Sequence, residues 1–508
     1  MDKPFFVETS DTDDAAPTPS GVPGLDEVLS GGFPSSRLHL VEGTPGSGKT
    51  TLALQFLLEG IRLGERALYI TLAETKREVV AVAKSHGWVL DELHILAFTP
   101  PELSHDPRHH QSVIHTADLE QGETLRTILA EVERVKPARV VLDSLSEIRL
   151  LTQGALRYRR QLVALKHAFL EHNSTVVLLD DLNYEVHGLN VHSIAHGVVS
   201  LEHVSKEFGP DRRRLRVTKM RGVKFKGGFH DFTIQQGGLS VFPRLVAANH
   251  PHTFSDSELI GSGIEELDAM MGGGIDRGTN LLLLGPSGAG KSTLSARIVL
   301  TALERGDLVT FFNFDEAQRV LLKRSAGLGM DLMPYLESGQ LVMKQVDPAE
   351  LSPGELAGMI RDAVEVHKTT MVVLDSLGGY LHSMPEERFM LLQMHELLLY
   401  LNQHGIATVL VLAQHGLIGE TTAPVDMTYL ADAILLLRFF ESDGHLRRAI
   451  SMIKKRTGTH EMTIREFMID KGLHIGQPLE SFRGLLQGSP SYSGVDGALF
   501  KRPRGEQG

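Results

Sequence analysis

Residues 38–50 read LHLVEGTPGSGKT, and residues 280–292 read NLLLLGPSGAGKS. Each stretch runs from apolar residues into a glycine-rich loop that ends in Gly-Lys-Thr or Gly-Lys-Ser, and a segment with helical spacing of apolar residues follows. A G-x-x-x-x-G-K-[ST] loop between a strand and a helix is typical of a backbone that curls around nucleotide phosphates. Two such loops in one chain predict two nucleotide sites.

The two loops belong to a longer internal repeat. Residues 20–50 and residues 262–292 share a Ser-Gly, a Leu-Asp, a Gly-Gly turn and an apolar strand, in the same order. A repeat of this length indicates two whole domains rather than a solenoid of short units. The expected organisation is a flexible N-terminus at 1–17, a first domain at 18–247, a linker at 248–259, a second domain at 260–487 and a disordered tail at 488–508.

The apolar pattern predicts an α/β fold. Short Val/Leu/Ile runs read as strands, and they alternate with segments of helical spacing such as residues 49–63. Continuous apolar strands separated by helices are typical of a parallel sheet that is covered on both faces. We therefore predict two tandem domains, each with a mainly parallel sheet flanked by helices. The predicted strands of the first domain are 37–42, 67–72, 139–142 and 175–179.

The composition excludes several classes of function. The 508 residues include 51 Lys+Arg and 63 Asp+Glu, which gives a net charge of −12 and disfavours nucleic-acid and anionic-membrane partners. The chain has no cysteine, which excludes disulfides, thiolate metal sites and thiol catalysis. No run reaches about 18 apolar residues, so we expect no transmembrane helix. The N-terminus does not resemble a signal peptide, and we expect a cytoplasmic protein.

Each residue type in the loops has a role in phosphate binding. Lys49 and Lys291 are expected to reach the β- and γ-phosphates, and the Thr50 and Ser292 hydroxyls to hold Mg²⁺. The loops also place backbone N–H groups at the positive end of a helix. The residues assigned to phosphate binding are Gly43, Thr44, Pro45, Gly46, Ser47, Gly48, Lys49, Thr50, Thr51, Gly285, Pro286, Ser287, Gly288, Ala289, Gly290, Lys291, Ser292 and Thr293.

Two aspartates complete the predicted magnesium sites. Asp143 and Asp375 each follow an apolar run and precede Ser-Leu. A carboxylate at the carboxyl end of a central parallel strand lies where ligands bind in open α/β sheets. We predict that Asp143 and Asp375 orient Mg²⁺ through water, and the alternative is a solvated acid at a strand end.

Carboxylates after the next predicted strand are candidates for the catalytic base. Glu74 and Glu316 lie 25 residues after Lys49 and Lys291, respectively, and Asp315 precedes Glu316 where the first domain has Ala73. A carboxylate beside the phosphate loop can polarise an attacking water. The alternative interpretation is an acid at a helix N-cap or in a first helical turn, which is also common at such positions.

Basic pairs recur late in each domain, as Lys219 with Arg221 and Lys454 with Arg456. An arginine supplied to a neighbouring nucleotide stabilises the charge that develops during phosphoryl transfer. We therefore predict that these four residues act on the nucleotide of an adjacent subunit, and the alternative is ordinary surface charge.

Taken together, these residues resemble the KaiC family of RecA-like ATPases over residues 18–485. The resemblance implies a RecA-like P-loop NTPase fold in both domains, a homo-hexameric double ring with ATP and Mg²⁺ at subunit interfaces, and slow hydrolysis in the first ring. It also implies serine/threonine autokinase and autophosphatase activity in the second ring. The segments that carry the resemblance are SGVPGLDEVLSGGFP (20–34), SGIEELDAMMGGGI (262–275), YITLAET (69–75), FNFDEAQ (312–318), LDSLSEI (142–148), LDSLGGY (374–380), AISMIKKRTGTH (449–460) and IREF (464–467).

The chain departs from the family pattern at identifiable residues. Ala73 replaces the first glutamate of a family pair, and Asp315 stands where the resemblance implies the kinase base. The implied phosphoacceptor pair falls on Thr428 and Tyr429, of which Thr428 keeps an aliphatic hydroxyl. The C-terminal tail lacks the amphipathic segment with which clock members engage the partner KaiA.

These features favour an ATP-hydrolysing signalling switch with possible autokinase activity in the second domain. Two alternatives stay open at this point. A DNA-binding recombination ATPase of the RecA type would have the same loops, although the acidic balance counts against it. A nucleotide-locked scaffold with little turnover is the other, and Ala73 gives it some support in the first domain.

Overall fold

The computed structural model describes residues 16–98, 116–152, 154–182, 191–205, 209–249, 258–378, 387–414, 427–442, 444–485 and 491–492. The chain divides into two compact units, Met1–Arg244 and Leu245–Gly508, which we call domain one and domain two. Residues 1–15 of the predicted flexible N-terminus, 250–257 of the predicted linker, and the predicted tail apart from Ser491–Tyr492 lie outside the described residues. Among the helices that are described, none has the length and apolar character needed to cross a membrane.

Domain one is built on a nine-stranded sheet in the order β3-β2-β4-β5-β1-β6-β7-β8-β9. Strands β1 to β6 pair in parallel, and β6 to β9 form an antiparallel extension. The strands are β1 (Leu38–Gly43), β2 (Ala67–Thr71), β3 (His94–Ala97), β4 (Arg139–Asp143), β5 (Thr175–Asp181), β6 (Gly197–Val204), β7 (Arg212–Met220), β8 (His230–Gln235) and β9 (Gly238–Phe242). The helices are α1 (Leu25–Val28), α2 (Lys49–Arg62), α3 (Lys76–Ser85), α4 (Thr116–Val135), α5 (Leu145–Leu151), α6 (Ala155–Glu171) and α7 (Val191–Ile194).

Domain two repeats this sheet in the order β14-β13-β15-β16-β12-β17-β18-β19-β20. Its strands are β10 (Leu259–Ile260), β11 (Ile275–Asp276), β12 (Asn280–Pro286), β13 (Val309–Asn313), β14 (Leu341–Gln345), β15 (Met371–Asp375), β16 (Ala407–Gln414), β17 (Ala433–Ser442), β18 (His445–Lys455), β19 (Ile464–Ile469), β20 (Leu473–Pro478), β21 (Phe482–Arg483) and β22 (Ser491–Tyr492). Its helices are α8 (Glu265–Met270), α9 (Lys291–Glu304), α10 (Gln318–Gly327), α11 (Met333–Glu337), α12 (Pro353–Glu365) and α13 (Glu387–Gln403). The matching strand orders confirm the predicted fold class of two tandem α/β domains.

Both faces of each sheet are buried, as the continuous apolar strands predict. In β12, Leu281 and Leu283 pack into one core, whereas Leu282 and Leu284 pack into a second core on the opposite face. Strand β1 divides its side chains in the same way between two cores. Helices cover the two faces, so ligands can approach the central strands only at their ends.

The strand order brings the distant motifs of one domain to a single edge. Parallel strands β1, β4 and β2 all end at the same side, because Thr71 pairs with Asp143 in register and Gly43 pairs with Asp181. The phosphate loop leaves β1 at this edge, and the same relation holds in domain two. A segment near residue 50 thus meets a carboxylate almost a hundred residues later in the chain.

Two candidate nucleotide sites

Each phosphate loop turns directly from a strand into a helix. Helix α2 begins at Lys49 and α9 begins at Lys291, and the glycines before them, Gly48 and Gly290, have φ values of 100° and 105°. This left-handed conformation favours glycine, which has no Cβ to clash. A Cβ on Gly43 would lie 2.5 Å from Ser47 Oγ. The glycines are therefore required by the turn that aims the helix N-terminus into the loop.

The loop lysines are held by the backbone of their own loops. Lys49 Nζ donates to the carbonyls of Gly43 at 2.9 Å and Thr44 at 3.0 Å. Lys291 Nζ donates to those of Gly285 and Pro286, both at 2.8 Å. Each ammonium group thus lies at the centre of its loop, where a phosphate would meet a positive charge and a helix N-terminus.

A hydroxyl and a carboxylate meet beside each lysine. Thr50 Oγ1 donates to Asp143 Oδ2 at 3.4 Å, and Ser292 Oγ donates to Asp375 Oδ1 at 3.1 Å. Hard oxygen donors in such small numbers fit Mg²⁺, which is commonly held by one or two protein oxygens together with substrate phosphates and water. Among the described residues, no group of three His, Cys, Asp or Glu side chains forms a cation site of its own.

Domain one has two further contacts that sequence reasoning missed. Tyr69 OH donates to Asp143 Oδ2 at 2.6 Å, and Lys49 Nζ forms an ion pair with Asp181 Oδ1 at 2.9 Å. The matched positions of domain two carry Phe311, by the offset between the loops, and Ala413, by the register of the central strands. Neither side chain can reproduce these contacts, so the two sites differ in how their charges are compensated.

The site in domain two is the more desolvated. Burial raises the pKa of Asp375 to about 6, and Asp375 Oδ2 has no hydrogen-bond partner among the residues described. Burial lowers the pKa of Lys291 to about 8, an effect that Asp375 partly opposes. In domain one, burial also raises the pKa of Asp143, and hydrogen bonding from Tyr69 opposes the rise. A charge in a dry site interacts strongly with any ion that enters it.

Glu74 lies beside Asp143 at the edge of the sheet. Its Oε2 atom is buried and has no hydrogen-bond partner in the described part of the chain. Burial raises the pKa of Glu74, and the nearby charges of Asp143 and Glu78 raise it further. The helix that follows is capped by Thr75, with Glu78 closing the capping box. Glu74 is therefore neither the N-cap nor a first-turn acid of α3.

The carboxylates of domain two have different neighbours. Arg324 Nη2 donates to Glu316 Oε2 at 2.7 Å, and Ser376 Oγ donates to Asp315 Oδ2. The N-cap of α10 is Ala317, so neither acid caps that helix. Because Ala73 replaces Asp315 in domain one, the second carboxylate exists only in domain two.

The basic pair of domain one lies at the opposite edge of its sheet. Lys219 pairs in register with Val198, close to the amino end of β6, and its Nζ donates to the carbonyls of His192 and Ala195. Arg221 Nη2 donates to the Ser193 carbonyl at 2.8 Å. Both side chains thus bind the short segment before β6, at the amino end of the parallel strands and away from their own phosphate loop.

The basic pair of domain two binds the segment that contains Thr428. Lys454 Nζ donates to the carbonyls of Thr428 at 3.0 Å and Ala431 at 2.7 Å. Arg456 donates from Nη2 to the Tyr429 carbonyl at 2.9 Å and from Nη1 to Asp432 Oδ1 at 3.2 Å. The candidate acceptor and both basic residues therefore form one cluster before β17, again at the amino edge.

The pKa values of Lys291 and Asp375 give a testable pH dependence. Below pH about 6 Asp375 takes up a proton and loses its attraction for Mg²⁺, and above pH about 8 Lys291 loses the charge that attracts phosphate. In a Lys49→Ala variant, equilibrium binding of Mg·ATP should therefore be tightest between these values. The matched variant Lys291→Ala keeps only the first site. Any pH dependence of Mg·ATP affinity that Lys49→Ala shows and Lys291→Ala lacks therefore belongs to domain two. A flat affinity across this interval would contradict the assignment.

Comparison with known proteins supports the resemblance. A family model described as "ATPase: KaiC" matches residues 18–246 and 260–480. The chain is 28% identical over 499 residues to the circadian clock protein KaiC3 of Synechocystis sp., covering 95% of this chain and 96% of that protein. It is 28% identical over 493 residues to the circadian clock oscillator protein KaiC of Synechococcus elongatus, covering 94% and 92%. Matched across both domains, the chain belongs to the KaiC family of ATPases.

Proposed function

We propose that this KaiC-family ATPase binds Mg·ATP at both loops and hydrolyses it as a signalling switch within a homo-oligomer. We further propose that domain two transfers phosphate to another copy of the same chain. One observation carries the proposal: each loop lysine lies beside a hydroxyl–carboxylate pair, and the two domains then surround these shared groups with different carboxylates. The shared groups suit the binding of the same nucleotide at both sites. The differing carboxylates suit two outcomes for its γ-phosphate, hydrolysis and transfer.

Hydrolysis in domain one follows from the positions of its charges. Lys49 neutralises the β- and γ-phosphates, and Thr50 with Asp143 would hold Mg²⁺, which spreads the charge that develops on the leaving group. The oxygen of a water attacks the γ-phosphorus while the bond to the bridging oxygen breaks, so that ADP leaves. The proton of that water passes to the half-buried carboxylate of Glu74, whose raised pKa suits a general base.

The basic pairs support an oligomer. Lys219 and Arg221 lie at the amino edge of their sheet, whereas the loop of the same domain lies at the carboxyl edge. These cations therefore do not reach the nucleotide of their own domain, and we infer that they contact one held by another copy of the chain. A head-to-tail arrangement forms a ring when the rotation between subunits closes, and family membership favours a closed hexamer.

Transfer in domain two would use the same edge. Lys454 and Arg456 bind the carbonyls of Thr428 and Tyr429, so the acceptor accompanies the cations toward the nucleotide of a neighbour. The Thr428 hydroxyl oxygen attacks the γ-phosphorus, ADP leaves, and the hydroxyl proton passes to Asp315 of the subunit that holds the nucleotide. The family resemblance implies a serine or threonine acceptor, which favours Thr428 over its neighbour Tyr429.

Incubation with γ-labelled ATP and Mg²⁺ tests the proposed function. We expect both free labelled phosphate and labelled protein, with the protein label lost in Thr428→Ala. Tyr429→Phe is the control, since Tyr429 is about half exposed and its carbonyl contact does not need the phenol. Free phosphate without labelled protein would contradict the proposed kinase activity. The absence of both free phosphate and labelled protein would favour a nucleotide-locked scaffold.

Subunit mixing tests whether the basic pair acts between chains. All chains carry Lys291→Ala so that turnover reports domain one. Lys49→Ala and Arg221→Ala chains should each be nearly inactive alone, because one lacks the loop lysine and the other lacks the cation. Random mixing restores a complete site at roughly a quarter of the head-to-tail interfaces, so phosphate release should recover.

The control for mixing pairs Lys49→Ala with a chain that carries both substitutions, which offers no complete interface. A mixture of the single variants that is no more active than this control would show that Arg221 does not act in trans.

A further inference from the structure

Arg324 joins a candidate base to the phosphate-loop helix of domain two. Its Nη2 atom donates to Glu316 Oε2 at 2.7 Å, and its Nη1 atom donates to Thr293 Oγ1 at 2.6 Å. The two charged side chains are about one-third exposed, at 33% for Arg324 and 29% for Glu316. Thr293 follows Ser292 in the first turn of α9, so the arginine links Glu316 to the element that holds the nucleotide.

Domain one lacks this link. Helices α3 and α10 begin at matching positions, so the residue that corresponds to Arg324 is Val82. Glu74, which corresponds to Glu316, has a buried Oε2 without a partner among the described residues. The same base position is therefore open in domain one and paired in domain two.

We propose that Arg324 is a positioning residue that holds Glu316 away from an attacking water and so suppresses hydrolysis at the second loop. A general base needs a free lone pair and a negative charge directed at the proton that it accepts. The guanidinium group of Arg324 occupies one carboxylate oxygen and compensates the charge. The proposal rests on the proposed role of Glu316 as the hydrolytic base of domain two.

Asp315, the carboxylate that precedes Glu316, has a separate proposed role. In hydrolysis, water attacks the γ-phosphorus, the bond to the bridging oxygen breaks and the proton passes to Glu316. In transfer, the same phosphorus–oxygen bond breaks, but a hydroxyl attacks and its proton passes to Asp315. Asp315 accepts from Ser376 and not from Arg324 among the contacts described. Arg324 thus restrains one outcome without touching the other, which keeps ATP available for transfer.

Replacement of Arg324 by valine, the residue at the matched position 82 of domain one, tests the proposal. Both parent and variant carry Glu74→Gln, which silences hydrolysis in domain one but leaves its loop intact. We expect Arg324→Val to raise kcat for phosphate release by about two- to five-fold, the range that release of such a partly exposed ion pair allows. KM for ATP should change less than kcat, because Arg324 contacts the phosphate loop only through the Thr293 side chain. The ratio of labelled protein to free phosphate should fall.

Three further variants separate a restraint from a structural effect. Arg319→Val removes an exposed cation from the same helix and should leave turnover unchanged. Arg324→Lys keeps a positive charge that can pair with Glu316, and it should return turnover toward the parent value even if Arg324→Val proves poorly folded. Adding Glu316→Gln to Arg324→Val should abolish the gain, because the freed base is removed.

The outcomes distinguish the inference from the proposed function. If Glu316→Gln alone abolishes the residual turnover but Arg324→Val leaves it unchanged or lower, Glu316 is the base and the restraint is wrong. If Glu316→Gln changes nothing in either context, the proposed role of Glu316 fails, and the inference fails with it. Equal gains from Arg319→Val and Arg324→Val would also overturn the proposal.

Discussion

Both sites depend on one interaction, a lysine ammonium group held by two carbonyls of its own loop. Lys49 donates to the last residue of β1 and the first residue of the turn, whereas Lys291 donates to the last two residues of β12. The bonds place a positive charge at the edge of the sheet before any anion arrives. The glycines, the helix N-terminus and the hydroxyl–carboxylate pairs are all arranged around this charge.

What differs between the domains is the compensation of this shared centre. Domain one surrounds it with a tyrosine and a second aspartate, and it leaves the buried Oε2 atom of Glu74 without a partner among the described residues. Domain two omits both, leaves Asp375 more strongly desolvated, and pairs its glutamate with Arg324. The duplicated fold thus keeps the lysine, hydroxyl and carboxylate of each loop and varies the side chains around them, and we propose that this variation decides where the phosphate goes.

The local pattern of apolar residues and glycines predicts much of this fold, but it does not predict the contacts between residues that are distant in the chain. The predicted helix 49–63 is observed as Lys49–Arg62 and the predicted strand 139–142 as Arg139–Asp143, because glycine turns and apolar runs fix both. The partners Tyr69 and Asp181 depend on which strands lie side by side, and spacing along the chain does not contain that order. Alignment of the two repeats could have found Arg324, since a cation stands there where the first copy has Val82.

We propose that the two nucleotide sites differ in their rate of ATP hydrolysis. Phosphate release per chain, compared between Glu74→Gln and Glu316→Gln at saturating Mg·ATP, tests this difference. We expect Glu74→Gln to remove most of the turnover, with the first site losing the ~10²-fold or more that a general base contributes. Glu316→Gln should leave most of the turnover in place. Equal losses, or a larger loss from Glu316→Gln, would contradict it.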